Sequence, residues 1–458
     1  MATRRRIVAG MVVAAAASLS AVSPALAGDN VGGNGSSFMA NIQEVCRALY
    51  NASKIANPNS DVISYTASSS GTGRSTFQKG QSDFAGSDAP YGSTETKPTS
   101  FVYVPLIGGP IAVTYRVDGI SPAGAQINLT GEIVAKIFAG QITNWNDPAI
   151  AAVNKQTAVA AKASVAGNGV TVKATLKGTN VTFSATMTPA ALKRFKGKKI
   201  TITPVTDGKP GTAVMNAAVR SKQTKLALLT DETTYEVTVG TRGIGTLVPK
   251  AFTLGENVTF PSKPIKVAYR SGSSGTTENF ANYLNKEFPS IWTKATSGTF
   301  ATAFPGSAVP TDGTFQSYSG NDGVTNAVRD TDGAITYAEI SFVTERKLSY
   351  AKILNNAGKY VAPSPETSAK NLAEALVADD GLVTLNYKVT DGASYPINAI
   401  AYAIANTATS SKATAVKAYL SYILNDCAPK QGPGSGYAPL SGAILTKALA
   451  LVAKVGAG

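Results

Sequence analysis

The stretch PIKVAYRSGSSGTTENFANYLNKEF, residues 264–288, predicts a strand, a turn and a helix in immediate succession. PIKVAYR is the strand, and four apolar residues recur at helical spacing after the turn, namely Phe280, Tyr283, Leu284 and Phe288. The turn itself follows Arg270 and consists of hydroxyl side chains and glycines. Such a turn can offer backbone N–H groups and a helix N-terminus to an anion, although an ordinary solvent-exposed loop has the same composition.

Two other segments repeat this arrangement. GNGSSF (33–38) precedes the first predicted helix, and SSSGTG (68–73) follows the strand VISYTA (62–67). Ser and Thr are ordinary helix N-caps, so a single turn of this kind indicates little. Three such turns in one chain, one of them after an arginine, predict donors and helix dipoles that converge on one small oxyanion.

Strand-like and helix-like segments alternate on both sides of these turns, which indicates α/β layers. SFMANIQEVCRALYNA (37–52) is predicted to be a helix from the spacing of Phe38, Ile42, Val45 and Leu49. INLTGEIVAKIFAGQI (127–142) repeats the pattern, and ATAVKAYLSYIL (413–424) is the final predicted helix.

The segment from about 162 to 248 has a different character. Short alternating runs such as VTVKATLKG (170–178) and TYEVTVGT (234–241) predict an antiparallel β-sandwich. The pattern resembles the immunoglobulin-like modules of bacterial surface proteins, although no cysteine pair or core tryptophan accompanies it. Residues 155–250 contain fifteen Lys or Arg against four Asp or Glu, whereas the rest of the chain after residue 27 has equal numbers of both signs.

This excess of positive charge predicts an anionic partner for the inserted domain, either a cell-wall polymer or the membrane surface; a plain structural spacer is the alternative. The N-terminus carries Arg4, Arg5 and Arg6, then an apolar run, then PALA (24–27), which together predict a signal peptide over 1–27. No cysteine follows the run, so no lipid anchor is expected, and no later stretch reaches the length of a transmembrane helix. The chain is predicted to be exported, either periplasmic or extracellular and wall-associated.

Histidine is absent from the sequence, which excludes a Ser-His-Asp triad and every His-containing metal site. No P-loop or dinucleotide motif occurs, and aromatic residues do not interleave with basic ones as a nucleic-acid groove requires. No catalytic residue, metal site, cofactor or nucleic-acid partner is therefore predicted. Cys46 and Cys427 are the two cysteines; in an oxidising compartment they could form one disulfide, and two free thiols are the alternative.

Several motifs occur in an order found in one known family: SSSGTG, DFAGSDAP (83–90), VPLIGGPIAV, GEIVAKIFAGQITNWNDPAI, YRSGSSGTT and GAITYAE. In this respect the chain resembles the periplasmic phosphate-binding proteins of ABC importers, including their DING relatives, over 28–154 and 255–445. The resemblance implies a two-lobed solute-binding (Venus-flytrap) α/β fold, with VPLIGGPIAVTY (104–115) and YPINAIAYAI (395–404) as the hinge crossings. The expected domains are lobe one (28–108 and 396–458), lobe two (109–157 and 253–395) and an inserted immunoglobulin-like sandwich (158–252), which the family does not normally carry.

The resemblance also implies the site residues and the function. The expected phosphate contacts are Ser37, Phe38, Ser69, Asp88, Arg270, Ser274, Gly275 and Thr276. The expected function is capture of inorganic phosphate and its delivery to the permease and ATPase subunits of an ABC importer, without catalysis. Two alternatives stay open: a secreted phosphatase on the same scaffold, and a wall-associated adhesion protein.

Overall fold

A computed structural model describes residues 28–54, 61–155, 162–177, 180–206, 209–228, 234–247 and 258–458. The predicted signal peptide lies outside the described residues. The elements before the basic segment are β1 (Asn30–Gly35), α1 (Ala40–Lys54), β2 (Val62–Ala67), α2 (Ser70–Gln78), β3 (Phe84–Ser87), β4 (Phe101–Tyr115), β5 (Asn128–Leu129), α3 (Gly131–Phe138) and α4 (Pro148–Val153).

The basic segment consists almost wholly of strands. Its elements are β6 (Lys162–Gly167), β7 (Val170–Lys177), β8 (Asn180–Met187), α5 (Pro189–Arg194), β9 (Lys199–Thr206), β10 (Lys209–Pro210), β11 (Met215–Ala218), β12 (Lys222–Leu228), β13 (Thr234–Val239) and β14 (Arg242–Leu247).

Alternating strands and helices return after it. These elements are β15 (Lys266–Arg270), α6 (Gly275–Glu287), α7 (Phe300–Ala303), β16 (Phe315–Tyr318), α8 (Gly320–Asp330), β17 (Ala334–Glu339), α9 (Ile340–Glu345), β18 (Ser349–Tyr350), β19 (Lys352–Leu354), β20 (Tyr360–Val361), α10 (Pro365–Leu372), β21 (Leu376–Val377), β22 (Val383–Thr384), β23 (Asn398–Asn406), α11 (Ser411–Tyr422), α12 (Ala428–Gln431) and α13 (Gly442–Lys454). A π-helical turn, Ile423–Cys427, continues α11.

The largest sheet in the described part of the chain has nine strands. Eight of them follow the order β16-β15-β17-β4-β23-β3-β1-β2, and β18 pairs with β4. Pairing is parallel within the group β1, β2 and β3 and between β15 and its two neighbours, β16 and β17. The two groups are joined by the antiparallel strands β4 and β23, which are the two runs predicted to cross between lobes.

Burial explains why β4 and β23 have no polar alternation. Every residue of β4 from Val102 to Tyr115 is buried, and β23 is buried from Asn398 to Ala405. Strands covered on both faces have continuous apolar sequences of this kind. One hydrophobic core extends along this sheet through both halves of the molecule. The domain boundaries expected from the sequence stay predictions.

The inserted segment forms two antiparallel sheets, with strand orders β12-β8-β7-β6 and β10-β9-β13-β14; β11 also pairs with β9. It has a hydrophobic core of its own, in which Phe183 packs against Tyr235 with ring centroids 5.1 Å apart. The helix α5 and the strands β6, β10, β11 and β14 are not predicted by the sequence pattern, because α5, β10 and β11 are short and β6 and β14 contain glycine. The immunoglobulin-like relationship stays a prediction.

The insert leaves and rejoins the α/β part at one place. The Val258 amide donates a hydrogen bond to the Asn154 carbonyl at 3.2 Å. The Asn154 side chain is buried and bonds to the backbone of Asn128 in both directions, at 2.8 Å each. Because this junction is fixed by hydrogen bonds on the α/β side, the insert is attached without interrupting the large sheet.

Two helix predictions need correction. The helix α1 begins at Ala40, so Phe38 precedes it, and Leu49 is 43% exposed. The buried face is formed instead by Ile42, Gln43, Cys46 and Tyr50. The segment 413–424 is not the last helix either. After it comes α13, which packs on β4 through an apolar face that its lysines do not interrupt.

A disulfide joins Cys46 on α1 to Cys427 at the end of the π-helical turn, which confirms the pairing considered from the sequence. The Cα atoms of the two cysteines are 5.6 Å apart, although 381 positions separate them in the sequence. The bond therefore links the first helix of the chain to its C-terminal region.

We expect the double variant Cys46→Ala/Cys427→Ala to unfold at a lower temperature, with about 2–5 kcal/mol of stability lost, because the unfolded chain is no longer restrained. Scanning calorimetry measures this change. Reduction of the unmodified protein provides the control, since it breaks the same bond without altering packing. Separate alkylation of both cysteines in unreduced protein, or an unchanged melting temperature, would contradict the assignment.

Candidate functional site

Each of the three hydroxyl-rich turns follows the carboxyl end of a strand in the large sheet, and the turns come together where the two groups of parallel strands face each other. The first turn follows β1, the second follows β2, and the third follows β15. The group β1, β2 and β3 runs antiparallel to the group β15, β16 and β17, because three antiparallel pairings, β3 with β23, β23 with β4 and β4 with β17, separate them. The end of β3 is in register, through β23, with Pro105 of β4, and the end of β17 is opposite Ile111, so the carboxyl ends of the two groups face each other across the middle of β4. Ligands of open α/β folds bind in the crevice outside the carboxyl ends of the strands. The topology thus brings together the segments that the sequence analysis selected.

Asp88, directly after β3, is the residue on which these turns converge. Its side chain is buried, and its carboxylate accepts hydrogen bonds from one hydroxyl of each turn. These donors are Ser36 Oγ, Ser70 Oγ at 3.3 Å and Thr276 Oγ1 at 3.3 Å. The first two lie on the side of β1 and β2, whereas Thr276 belongs to α6 on the other side of the crossing strands.

Arg270 lies at the end of β15 and is only 2% exposed. Its Nη1 donates to Thr276 Oγ1 at 3.4 Å, and its Nε is buried without a hydrogen-bond partner in the described structure. Burial lowers the pKa of Arg270, while Tyr337 and Asp88 act in the opposite direction. Since an unsatisfied buried cation is costly, the site is built for an anion that can approach this guanidinium.

Gly275 allows the two sides to approach closely. A Cβ atom at this position would lie 2.6 Å from Ser70 Oγ and 2.7 Å from Asp88 Cβ, so no side chain fits there. Gly275 opens α6, whose N-cap is Ser274; the Ser274 hydroxyl accepts from the Thr277 amide at 3.3 Å. The N-terminus of this helix therefore points towards the same region as Arg270.

The remaining predicted residues have other partners. Ser37 Oγ accepts from both the backbone and the side-chain nitrogen of Asn321, at 3.3 and 3.2 Å. The Phe38 amide donates to Ser36 Oγ at 3.0 Å. Ser69 caps α2 by accepting from the Thr72 amide, and it does not contact Asp88.

Sequence reasoning missed several residues of this network. Ser36 and Ser70 are the hydroxyls that reach Asp88, and each is one position from a residue that was selected. Asn321, at the start of α8, connects that helix to Ser37. Only the turn glycine before it, Gly320 with φ of 68°, could have drawn attention to this position.

The carboxyl of Asp88 titrates far from its usual range. Burial raises the pKa of Asp88 to about 6, although hydrogen bonds from Ser36 and the positive charge of Arg270 oppose the rise. Asp88 is therefore largely ionised near neutral pH and can accept a hydrogen bond from a protonated ligand. The arrangement combines an acceptor, a buried cation and several neutral donors around one small space.

The fold and this cleft define a two-lobed α/β binding protein with a site for a small oxyanion. The sequence model described as "PBP superfamily domain" matches residues 21–236 and 165–426, and the chain belongs to this superfamily. The predicted two-lobed fold is confirmed.

The similar proteins carry consistent names. The chain is 28% identical over 393 residues to the phosphate-binding protein PstS 3 of Mycobacterium leprae, covering 82% of this chain and 75% of the relative. It is 26% identical to PstS 2 of Mycobacterium tuberculosis, over 78% of this chain and 70% of the relative. A solved high-affinity periplasmic phosphate-binding protein, PfluDING with bound phosphate, superposes with a TM-score of 0.54 at 18% identity, covering 92% and 93% of the two chains.

No helix within the described ranges has the length and apolar character needed to cross a membrane. In the same ranges, acidic residues and cysteines form no cluster suited to a metal ion.

The raised pKa of Asp88 predicts a pH-dependent effect on stability. The folded protein binds this proton more tightly than the unfolded chain, so the contribution of Asp88 is present below about pH 4 and is lost as the pH rises through about 6. We expect Asp88→Asn to gain up to about 3 kcal/mol relative to the unmodified, ligand-free protein between these limits. Denaturant titrations at several pH values measure the difference.

The exposed Asp312 provides a matched control, because its pKa is lowered by hydrogen bonds from Thr314. Asp312→Asn is expected to show no such gain with rising pH. An equal gain in both variants, or none in Asp88→Asn, would show that the Asp88 carboxyl does not titrate as described.

Proposed function

We propose that this protein captures inorganic phosphate in the cleft between its two lobes and delivers it to an ABC importer. The observation that carries the proposal is the buried guanidinium of Arg270, whose Nε lacks a partner in the described structure, beside a buried carboxylate, Asp88, in a ring of hydroxyl donors. The names of the relatives, which are phosphate-binding proteins, support the same ligand.

The carboxylate favours phosphate over other tetrahedral anions. A carboxylate repels an anion in a desolvated cleft unless the ligand brings a proton to the contact. Phosphate carries a proton near pH 7, whereas sulfate does not. If sulfate were bound, one of its oxygens would face the Asp88 carboxylate with no proton between the two acceptors. Asp88 therefore selects phosphate by disfavouring sulfate. Arg270 supplies a planar donor pair that matches two oxygens of the ligand.

The proposed ligand contacts are those expected from the sequence, Ser37, Phe38, Ser69, Asp88, Arg270, Ser274, Gly275 and Thr276. Ser36 and Ser70 are added as groups that orient Asp88, since both donate to its carboxylate. The role of Ser69 is limited to its backbone and the N-terminus of α2, because its hydroxyl already caps that helix.

Closure of the cleft is supported by direct contacts between the two sides. The Gly71 amide donates to the Ser273 carbonyl at 3.1 Å, and Asn279 Nδ2 donates to the Asp88 carbonyl at 2.7 Å. A ligand that bridges Asp88 and Arg270 would favour this closed arrangement over an open one, as a population shift.

Export, delivery and the absence of catalysis belong to the same proposal. The N-terminal sequence has the features of a signal peptide, and a phosphate importer would supply the permease and ATPase subunits as partners. Because no histidine occurs anywhere in the sequence, a hydroxyl nucleophile would need another base. Release of phosphate from a model monoester by the purified protein would contradict this part and favour a phosphatase.

Arg270→Ala is expected to weaken phosphate binding by about 2–4 kcal/mol, or roughly 30- to 1000-fold, because a charge-assisted donor is removed from a buried site. Isothermal titration calorimetry on dialysed protein measures the affinity. The phosphate affinity of Arg270→Lys is expected to lie between those of the unmodified protein and Arg270→Ala, since lysine keeps the charge but loses the paired donors.

Arg329→Ala is the control, because Arg329 is exposed and pairs with Asp330 on the surface. Unchanged affinity in Arg270→Ala, or an equal loss in the control, would remove Arg270 from the site. If the unmodified protein does not bind phosphate at all, the proposed function is wrong.

The discrimination between phosphate and sulfate is expected to depend on pH through Asp88. Near pH 8 the unmodified protein should bind phosphate and reject sulfate. As the pH falls below about 6, Asp88 becomes protonated and can donate to sulfate, so sulfate affinity should rise. Competition calorimetry with both anions tests this.

Asp88→Asn should reduce the preference for phosphate over sulfate at all pH values, because an amide does not repel sulfate. It should also remove the pH dependence of that preference, because an amide does not titrate. Sulfate binding that is equally strong at both pH values in the unmodified protein would exclude Asp88 as the selecting group.

A further inference from the structure

The basic residues of the insert are concentrated at one end of its two sheets. Five of them lie within KRFKGKK (193–199), which joins α5 to β9, and all five are exposed. Arg220, Lys222 and Arg242 are exposed as well and belong to neighbouring chain segments. We call the end formed by residues 193–199, 220, 222 and 242 the basic tip.

Backbone hydrogen bonds place these segments together. The Val219 amide donates to the Lys198 carbonyl at 3.0 Å, and the Gly240 amide donates to the Lys199 carbonyl at 2.9 Å. The first bond holds the segment before Arg220 against the 193–199 turn, and the second holds the segment before Arg242 against the same turn. The eight positive side chains thus belong to one surface.

The basic tip is at the end of the insert opposite to the strand ends at which the chain enters and leaves its two sheets. At the tip, the end of β6 packs on the start of β14, since a Cβ on Gly167 would lie 2.9 Å from the Ile244 carbonyl oxygen. The chain enters the insert at the start of β6 and leaves it at the end of β14. Six-residue strands span about 17 Å, so the tip lies about this far from the strand ends at which the chain enters and leaves the two sheets.

The charge of the tip is not neutralised within the structure. All ion pairs in the described ranges lie outside the insert. The described acidic residue of the insert, Glu236, is on β13 opposite Thr203, away from the tip. Asp207, Asp231 and Glu232 lie outside the described residues.

The tip also lacks the groups that bind sugars or insert into lipid. Its aromatic residue, Phe195, is only 6% exposed, and the large exposed apolar residues of the described chain are Leu49, Val62 and Leu376, none of them in the insert. Away from the tip, the exposed basic side chains described in the insert are Lys173, Lys209 and Lys225, one each on β7, β10 and β12. Positive charge that is concentrated at one end of the insert fits a broad anionic surface better than an extended chain.

We infer that the basic tip binds the surface of a bilayer rich in anionic phospholipids, through electrostatic attraction to the headgroups. Each Lys or Arg near such a surface contributes about 1 kcal/mol, so a cluster of this size is sufficient for reversible attachment. The inference goes beyond phosphate capture, and the groups it uses are separate from the cleft.

The experiment compares two triple variants of the full chain with equal changes of net charge. The tip variant is Lys196→Gln/Lys198→Gln/Lys199→Gln, and the control is Lys173→Gln/Lys209→Gln/Lys225→Gln, whose residues are exposed but lie outside the tip. Binding to vesicles of phosphatidylcholine, with and without phosphatidylglycerol, is measured by co-sedimentation. Phosphate calorimetry on the same samples checks that the cleft is unaffected.

The unmodified protein should bind only the vesicles that contain phosphatidylglycerol, and salt should weaken this binding. The tip variant should lose about 100-fold in partitioning, whereas the control should stay within a few-fold of the unmodified protein. No binding to anionic vesicles, an equal loss in the control, or stronger binding to lipid-free wall polymer than to vesicles would each overturn the inference. None of these results would bear on phosphate capture, which calorimetry reports separately.

Discussion

The antiparallel pairing of β4 with β23 is the interaction on which the rest of the α/β structure depends. It runs from Asn398 opposite Pro110 to Asn406 opposite Phe101, and the remaining strands of the large sheet extend outward from these two. A register shift between Ala401 and Tyr402 lies opposite Pro105, where a proline cannot donate to the ladder. Asp88 follows β3, which pairs with β23, and Arg270 ends β15, which is joined to β4 through β17. The relative position of the two charged groups therefore depends on this pair of strands.

The cleft contains two charges that burial disfavours. Burial raises the pKa of Asp88 and lowers that of Arg270, so each group on its own would be driven towards its neutral form. Thr276 lies between them and donates to Asp88 while it accepts from Arg270. A carboxylate and a guanidinium that are linked by one hydroxyl, rather than by a direct ion pair, leave donor capacity on the guanidinium for a ligand. The hydroxyl network thus stabilises the two charges and still leaves a donor of the guanidinium, Arg270 Nε, without a hydrogen-bond partner in the described structure.

Sequence reasoning identified the turns and the crossing strands because both have local signals. RSGSSGTT combines glycines and hydroxyls before a helical stripe, and the runs around Gly108 and Ala401 are continuously apolar. It failed at single positions within a turn. Ser36 donates to Asp88, whereas its selected neighbour does not; Ser69 was selected, but it caps a helix, and its neighbour donates to Asp88 instead. Only the direction of the backbone decides which of two adjacent hydroxyls reaches the carboxylate. Asn321 was missed because its partner Ser37 is 284 positions away. Leu49 was misplaced because the buried stripe of α1 runs through Gln43, Cys46 and Tyr50, and the polar Gln43 gave no apolar signal for that face.

The distribution of charge over the chain has a consequence for specificity. Outside the predicted signal peptide, the excess of positive charge is carried by residues 155–250, while the rest of the chain is neutral. Positive charge around the cleft would attract sulfate and phosphate alike, whereas the contacts of Asp88 and Arg270 act at hydrogen-bond range and distinguish the two. The six-residue strands of the insert span about 17 Å, about twice the screening length of about 8 Å at physiological ionic strength. Because exposed charges are screened over such distances, whereas Asp88 and Arg270 act on a bound ligand at hydrogen-bond range, a strongly basic surface elsewhere on the chain is compatible with a cleft whose selectivity depends on one carboxylate.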